Sequence, residues 1–399
     1  MTDIFKLTLH KNGLFWSYLM VFLLILYGVY DVSKFEYFNY LMIYFVVFLL
    51  TYWIFFLGMK KIQFNTLRST ILDPLSQWIK PHSLIVISVF FICIHFIFIN
   101  GFPSIQALGM QKLSEVVKLR ASITESVPSW VNYMFSWNLK AIIPFTLAIV
   151  FLNGDKKWYW AYYFISIAYA FLLMQKSFIL VVLSPVLIIS LINKKWFYLI
   201  KYALSSILIV FFLTYIQNVT MRGGVNDIQL DFEHKKPSKA SIVLNIFLGL
   251  KDRVAVTPGK TVTKWFEHIP QDKPFLRGNG FKLYAKLTRG EFHDYTKELY
   301  PLVYEENAKH GLRGTVNVAG FMRGYANFGT YGLLLAAIGL AFYLAIIELI
   351  FENHTIGKFA LNIFPLIMLS STSLLTILFS GGWFIIVLLF TIHKDRFNL

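Results

Sequence analysis

Two arginines that stand directly before glycine lie where a long polar stretch of the sequence meets apolar runs, in a setting suited to anion binding. Arg222 occurs in Met-Arg-Gly-Gly, and Arg323 occurs in Phe-Met-Arg-Gly-Tyr. Glycine lets backbone N–H groups approach a ligand closely, and the planar guanidinium holds two phosphate oxygens at once. We therefore predict that both arginines act on a phosphate-bearing substrate. The alternative is that each one only extends toward a membrane surface beside a turn glycine.

Seven other basic residues are predicted to bind the same anionic substrate. Lys140 lies in an apolar run one helical turn before Pro144, and a cation inside a membrane segment is a candidate functional residue. Lys176 lies at the end of a tight helix pair, where the alternative is a turn lysine that extends to the surface. The remaining five are Arg120, Arg253, Arg277, Arg289 and Arg313.

The elements that position these cations are membrane helices. Hydrophobic residues make up 57% of the 399-residue chain, charged residues only 15%, and the mean hydropathy is +0.60. This composition excludes a soluble globular protein. The single cysteine, Cys93, lies in an apolar run, which excludes disulfides within the chain and thiolate metal sites.

Ten apolar runs approach the length of about 20 residues that a membrane crossing requires. The last run is short and follows Ser380, Gly381 and Gly382, so the last two runs form either a tight hairpin or one broken element. We predict an all-α polytopic membrane protein with about ten transmembrane helices. The runs are Leu14–Tyr30, Tyr40–Gly58, Leu84–Asn100, Trp130–Leu152, Trp158–Met174, Phe178–Ile192, Trp196–Ile216, Phe328–Phe351, Phe359–Phe379 and Trp383–Ile392.

The distribution of lysine and arginine predicts the orientation of these helices. With ten crossings, most basic residues of the short connections fall on one side, which is therefore cytoplasmic together with both termini. The predicted organisation has three parts. Residues 1–216 carry seven helices and a small outer loop at 101–129, residues 217–327 form a large outer loop, and residues 328–399 carry three helices and a cytoplasmic tail.

The large outer loop is predicted to be a helical cap with a cationic surface. Residues 217–327 contain 17 Lys and Arg against 11 Asp and Glu. An excess of positive charge favours binding of an anionic ligand, although an ordinary mixed surface is the alternative. Within this loop, the apolar segment Ser241–Leu250 is too short to cross a membrane and is predicted to lie in the interface.

The segment that follows this loop carries a family resemblance. It reads Asn317-Val-Ala-Gly-Phe-Met-Arg-Gly-Tyr-Ala-Asn-Phe-Gly-Thr-Tyr-Gly332 and leads into an apolar helix. Its part Tyr325–Gly332 resembles a Tyr-Ala-Asn-Phe-Gly-x-x-Gly pattern that bacterial O-antigen polymerases of the Wzy type carry before a late transmembrane helix. The plan of helices and loops is similar across the whole chain, whereas similar sequence is confined to Arg120, Arg222 and Gly320–Gly332.

The resemblance implies a GT-C-like architecture and a polysaccharide polymerase of the bacterial inner membrane. Such an enzyme moves a growing glycan from undecaprenyl pyrophosphate onto an incoming lipid-linked repeat unit, on the periplasmic face. The implied partners are these lipid-linked oligosaccharides, membrane lipids, a chain-length regulator and a flippase, with no nucleic acid. The related O-antigen ligases carry a histidine near the position of Asn317, so this departure weakens the interpretation as a ligase.

The implied reaction assigns roles to residues of the outer loop. Arginines such as Arg222 and Arg323 stabilise the departing pyrophosphate without a metal ion, and we expect neither metal nor cofactor. A base orients the acceptor hydroxyl, and we favour His310 because it lies closest in sequence to Arg313 and Arg323. For each group of candidates the alternative is solvated surface. The other candidates are Glu267 with His268, then Glu291, His293 and Asp294, and finally Glu305 and Glu306.

Two further functions remain open on the sequence alone. A flippase or other transporter of lipid-linked oligosaccharides would carry charged groups within several membrane segments, whereas only Lys140 lies clearly inside a predicted one. An O-antigen ligase or acyltransferase of the envelope is the other alternative. The sequence does not distinguish sugars, linkage or stereochemical outcome.

Overall fold

The computed structural model describes residues 12–60, 79–125, 127–225, 252–309, 311 and 314–397. Within these ranges the chain is helical, with one isolated parallel bridge between Lys112 and Val225. The helices are Gly13–Ser33, Phe38–Met59, Pro81–Ile99, Pro103–Leu108, Leu113–Glu125, Ser129–Leu152, Lys156–Leu172, Lys176–Ile192, Trp196–Gln217, Thr257–His268, Lys282–Thr288, Tyr295–Glu298, Tyr300–Val303, Glu305–Lys309, Met322–Ile350, Thr355–Met368, Leu374–Phe379 and Trp383–His393.

Six of the described helices are long and apolar enough to cross a membrane. The helices Lys176–Ile192 and Thr355–Met368 are apolar but shorter. The protein is therefore an all-helical polytopic membrane protein, as its composition predicts. The six helices are Gly13–Ser33, Phe38–Met59, Pro81–Ile99, Ser129–Leu152, Trp196–Gln217 and Met322–Ile350.

The predicted ten runs coincide with helices, although one of them is interrupted. The run predicted over Phe359–Phe379 consists of the helices Thr355–Met368 and Leu374–Phe379, with residues 369–373 between them. This interruption contains Ser371-Thr372-Ser373, and Ser371 donates a hydrogen bond to the carbonyl of Met368. Hydroxyl side chains compete for backbone hydrogen bonds in this way and favour helix ends.

Two compact units make up the described chain. The first unit contains described residues within Met1–Ile62, Gln229–Leu349 and Leu366–Ile377. The second contains described residues within Gln63–Ile228, Ile350–Pro365 and Leu378–Leu399. The described part of the predicted large loop from residue 252 onward belongs to the first unit, together with the first two helices.

Within the first unit, one helix of the predicted large loop packs closely against the first helix. Helix Thr257–His268 packs along helix Gly13–Ser33, and a Cβ atom on Gly28 would overlap the carbonyl of Ala255. A Cβ atom on Gly259 would in turn overlap the backbone of Gly28. Small residues allow such backbone contact between helices of membrane proteins. The predicted cap is thus packed directly against a membrane helix.

A buried carboxylate fixes the beginning of the same first helix. Glu348 is fully buried in helix Met322–Ile350, and its Oε1 accepts hydrogen bonds from the backbone N–H groups of Leu14 at 2.6 Å and Phe15 at 3.1 Å. The first N–H groups of a helix have no partner within the helix. Glu348 supplies that partner from the far end of another helix, and its negative charge favours the positive end of the helix dipole.

Helix Met322–Ile350 is broken near its beginning. Phe328 and Gly329 have non-helical backbone angles, and Gly329 has a φ of +60°, which favours glycine. Beyond the break the chain folds back so closely that a Cβ atom on Gly332 would overlap the carbonyl of Gly324. The predicted start of this membrane helix at Phe328 is therefore the position of the break: a short helix begins at Met322, and the long apolar helix follows Gly329.

The second unit contains a π-helical turn in its most buried membrane helix. Residues Asn138–Ile142 form this turn just before Pro144, which has no N–H to donate. The amide of Asn138 donates to the carbonyl of Ser88 at 3.0 Å, and Tyr162 donates to the hydroxyl of Ser88 at 2.7 Å. These buried polar contacts connect three membrane helices of the unit.

Candidate functional site

Arg323 lies in the short first part of the broken helix, where protein contacts occupy only some of the N–H groups of its guanidinium. Its side chain is 29% exposed. One terminal N–H group donates to the hydroxyl of Thr376 at 3.4 Å, and the other lies 3.9 Å from the carboxylate of Asp294. A guanidinium has five N–H donors, and both of these contacts are longer than an ordinary charge-assisted hydrogen bond. Arg323 therefore retains donors for a ligand.

An apolar cavity of about 280 Å³ opens on one side of Arg323. Tyr18 and Tyr44 line this cavity, and their hydroxyls are hydrogen-bonded to each other at 2.6 Å. The volume is just below the range of about 300–1,000 Å³ that is usual for small-molecule sites. The other lining residues are Phe281, Gly320, Phe321, Arg323, Gly324, Phe328, Gly332, Leu335, Ala336, Gly339, Leu340, Leu369, Ser373, Leu374 and Leu375.

A second pocket, of about 110 Å³, also has Arg323 in its wall. We call it the hydroxyl pocket, because five of its lining residues are serine or threonine. Arg323 and Ser373 line both cavities, so the two spaces meet at these residues. The residues of the hydroxyl pocket are Trp265, Thr296, Asn317, Val318, Ala319, Arg323, Ser371, Thr372, Ser373 and Thr376.

Asn327 holds the backbone at Arg323 in place. Its side-chain amide donates to the carbonyl of Arg323 at 2.7 Å, and its Oδ1 accepts from the N–H groups of Gly278 at 3.1 Å and Gly280 at 2.9 Å. The helix break leaves backbone carbonyls without partners inside the helix. The carbonyl of Ala326 accepts from the N–H group of Leu276, and the backbone carbonyl of Asn327 accepts from the N–H group of Arg277, both at 2.9 Å. The fully buried Asn327 thereby ties the broken helix to residues 276–280.

The motif residue Tyr325 anchors the opposite face of this short helix. Its hydroxyl donates to the carbonyl of Ile269 at 3.1 Å, and its ring packs edge-on against Phe266 with centroids 4.7 Å apart. Together with Asn327, Gly329 and Gly332, Tyr325 explains the pattern Tyr325–Gly332 in physical terms. These residues create the break and fix Arg323 beside it.

Asp294 is the carboxylate next to Arg323. Its Oδ1 accepts from the N–H group of Thr296 at 3.2 Å and from the hydroxyl of Thr296 at 2.6 Å, which caps helix Tyr295–Glu298. The neighbouring His293 lies 3.3 Å from Glu298, which also binds Lys273 at 3.1 Å. Of the cluster Glu291, His293 and Asp294, the structure therefore brings one member to the arginine.

The other predicted residues of the large loop have different surroundings. Arg277 and Arg289 are exposed, have positive φ angles of 49° and 55°, and line neither of the two cavities. His310 and Arg313 lie outside the described residues, as does the predicted interfacial segment 241–250. The backbone of Arg253 belongs to the π-helical turn Asp252–Val256, but its side chain is not among those described.

Arg222 belongs to the second unit, where it binds backbone carbonyls. One terminal N–H group donates to Leu108 at 2.7 Å and the other donates to Met110 at 3.2 Å. Next to it, Val225 donates to Gln111 at 2.9 Å and accepts from Leu113 at 3.3 Å. These contacts favour a role for Arg222 in holding residues 108–113 of the segment predicted to be the small outer loop.

The remaining predicted cations also lie in the second unit. Arg120 is exposed on helix Leu113–Glu125, Lys140 is half-buried in the π-helical turn, and Lys176 begins helix Lys176–Ile192. The sequence alone places only Lys140 clearly inside a predicted membrane segment, whereas the structure has further charged residues in apolar helices. Besides the half-buried Lys140, Glu348 and Lys358 lie in apolar helices, and both are fully buried.

Sequence reasoning did not identify the hydroxyl side of the site. Thr296 and Thr376 are separated from Arg323 along the chain. Thr296 follows the candidate cluster Glu291, His293 and Asp294 but is itself uncharged, and Thr376 has no charged neighbour. One signal was available: Ser370-Ser371-Thr372-Ser373 places four successive hydroxyls inside a predicted membrane run. Such a run of hydroxyls is typical of a helix interruption, where side chains are free to face a cavity.

The described residues contain no cluster of three or more His, Cys, Asp or Glu that could hold a metal ion. We found no match for this chain among protein-family models, curated proteins or solved structures.

Proposed function

We propose that this protein is a membrane glycosyltransferase that joins lipid-pyrophosphate-linked oligosaccharide repeat units at the Arg323 site. One observation carries this proposal: a single half-buried arginine lines both an apolar cavity and the hydroxyl pocket. A lipid-linked sugar has the same order of parts, with an apolar chain, an anionic phosphate and a polar sugar. The sequence resemblance of Gly320–Gly332 to O-antigen polymerases of the Wzy type supports the same substrate class.

In the proposed reaction, the role of Arg323 is electrostatic. Transfer of the sugar leaves negative charge on the departing lipid pyrophosphate, and a fixed guanidinium in a partly buried site stabilises that charge. Arg323 suits this role because Asn327 holds its backbone and its contacts to Thr376 and Asp294 are long. The proposal includes metal-independent chemistry, with His310 as the predicted base.

The proposed setting is the inner membrane of a bacterium. The orientation follows from the basic residues of the short connections, which put both termini in the cytoplasm and the Arg323 site on the periplasmic side. The ten crossings and the GT-C-like architecture belong to the same proposal. So do the partners, namely undecaprenyl-pyrophosphate-linked oligosaccharides, membrane lipids, a chain-length regulator and a flippase.

The proposal is tested by replacing Arg323 in a strain that depends on this chain for long surface glycans. We expect Arg323→Ala to lower polymer by about 100-fold, because one oxyanion-stabilising donor contributes that much to a transfer rate. Arg323→Lys should retain part of the activity, since it keeps the charge but loses the planar fork. The matched control is Lys286→Ala, an exposed cation of helix Lys282–Thr288 that lines neither cavity.

Gel analysis of surface glycans and an immunoblot of the membrane protein provide the readout. Normal polymer length in the Arg323→Ala strain, at normal protein level, would contradict the proposal. Single repeat units that fail to reach the cell surface would favour a flippase instead. Chains of normal length that stay unattached to their final anchor would favour a ligase.

A further inference from the structure

The hydroxyl pocket has balanced charge. Among the described residues that line it, Arg323 is the only charged one, and the carboxylate of Asp294 lies 3.9 Å from that guanidinium. A phosphate dianion requires an excess of positive charge and of hydrogen-bond donors. On this side of Arg323 the carboxylate of Asp294 offsets the guanidinium charge, so the hydroxyl pocket has no excess of positive charge. A neutral ligand fits the charge better.

The directions of the hydrogen bonds favour a ligand that donates as well as accepts. The hydroxyl of Thr296 donates its proton to Asp294 at 2.6 Å, so its oxygen is left to accept from a ligand. Thr376 already accepts from Arg323 and shares a hydrogen bond of 2.8 Å with Ser373. Phosphate oxygens only accept, whereas sugar hydroxyls both donate and accept.

Trp265 forms part of the wall of the same pocket. It lines the hydroxyl pocket and is 2% exposed, so it is a fixed part of that wall.

We propose that the hydroxyl pocket binds the neutral, hydroxyl-bearing end of the acceptor sugar, with Thr296 accepting a hydrogen bond from it. The volume of 110 Å³ is several times the 10–15 Å³ or so that one water requires, so it holds a sugar edge. The phosphate of the lipid carrier then binds Arg323 from the side of the apolar cavity. That the bound sugar is the acceptor rests on the proposed function, whereas the preference for a neutral sugar rests on the pocket alone.

The test measures sugar binding directly on the purified full-length protein in lipid nanodiscs. The probes are methyl glycosides of hexoses, deoxyhexoses and N-acetylhexosamines, observed by saturation-transfer NMR at millimolar concentration, with inorganic phosphate and pyrophosphate as competitors. We expect at least one neutral sugar to bind. Thr296→Val should weaken that binding about tenfold through the loss of one hydrogen bond to the ligand. Thr376→Val should also weaken it, because this change removes a hydroxyl of the pocket wall and the acceptor that Arg323 uses.

The matched control is Thr288→Val, which removes an exposed hydroxyl outside the pocket in the same unit. Size-exclusion profiles identify any variant that fails to fold. The inference is overturned if no neutral sugar binds, if phosphate displaces the sugar, or if both pocket variants bind it as the wild type does. Sugar binding without polymer formation would contradict only the proposed function. Polymer formation at the wild-type level in both pocket variants would contradict only the inference.

Discussion

The side-chain amide of Asn327 donates to the backbone carbonyl of Arg323 at 2.7 Å, and its oxygen accepts from the N–H groups of Gly278 and Gly280. One buried amide thus joins the arginine, the helix break and a distant loop segment. An asparagine satisfies both kinds of partner, because it carries donors and an acceptor on one planar group.

Replacement of Asn327 should therefore affect both stability and the site. We expect Asn327→Leu to lower the thermal unfolding midpoint in detergent, since it leaves two buried N–H groups without an acceptor, at about 1–3 kcal/mol each. Polymer formation should fall with it. Fluorescence-detected size exclusion after heating provides the measurement. An unchanged midpoint would mean that residues 276–280 are held by other contacts.

The fold-back at the helix break gives a prediction about two glycines of one helix. A Cβ atom on Gly332 would overlap the backbone of Gly324, whereas a Cβ atom on Gly339 would meet nothing within 4 Å. We expect Gly332→Ala to destabilise the protein by about 1–3 kcal/mol, as overpacking does. Gly339→Ala serves as the control and should be neutral or stabilising by up to about 1 kcal/mol. Equal unfolding midpoints for the two variants would refute the fold-back.

Gly339 also provides a way to fill the apolar cavity. Its side-chain position opens into that cavity, so Gly339→Phe should exclude a lipid chain and weaken binding of undecaprenyl phosphate at least tenfold, which corresponds to about 1.4 kcal/mol. The control is Gly58→Phe, which adds the same ring at another open position of the first unit. Native mass spectrometry of the lipid complex measures the difference. Wild-type lipid occupancy in Gly339→Phe would exclude this cavity as the site of the lipid chain.

Arg222 leads to a prediction about local order in the second unit. Because its guanidinium binds the carbonyls of Leu108 and Met110, we expect Arg222→Ala to increase hydrogen exchange across residues 108–113. The exposed Lys118 of helix Leu113–Glu125 supplies the control, Lys118→Ala, which should leave exchange unchanged. If exchange stays at the wild-type level while polymer disappears, Arg222 acts on the substrate, as the sequence predicts.

The helical membrane class was predictable from composition, because a chain with 57% hydrophobic residues and long apolar runs satisfies its backbone in a membrane by forming helices. Arg323 and the pattern Tyr325–Gly332 were also recognisable, since glycine, asparagine and arginine have distinctive local roles. The clusters of acidic residues and histidine were visible too, but their order of importance was not.

Tertiary structure decided which residues share a site with Arg323. Thr376 is 53 residues away along the chain, and Thr296 and Trp265 belong to other helices of the same unit. Threonine and tryptophan occur throughout this chain, so neither residue type nor spacing distinguishes them. Likewise Glu348 resembles any carboxylate near a helix end until its contact with Leu14 is known. Such long-range contacts arise from packing, which local sequence patterns do not encode.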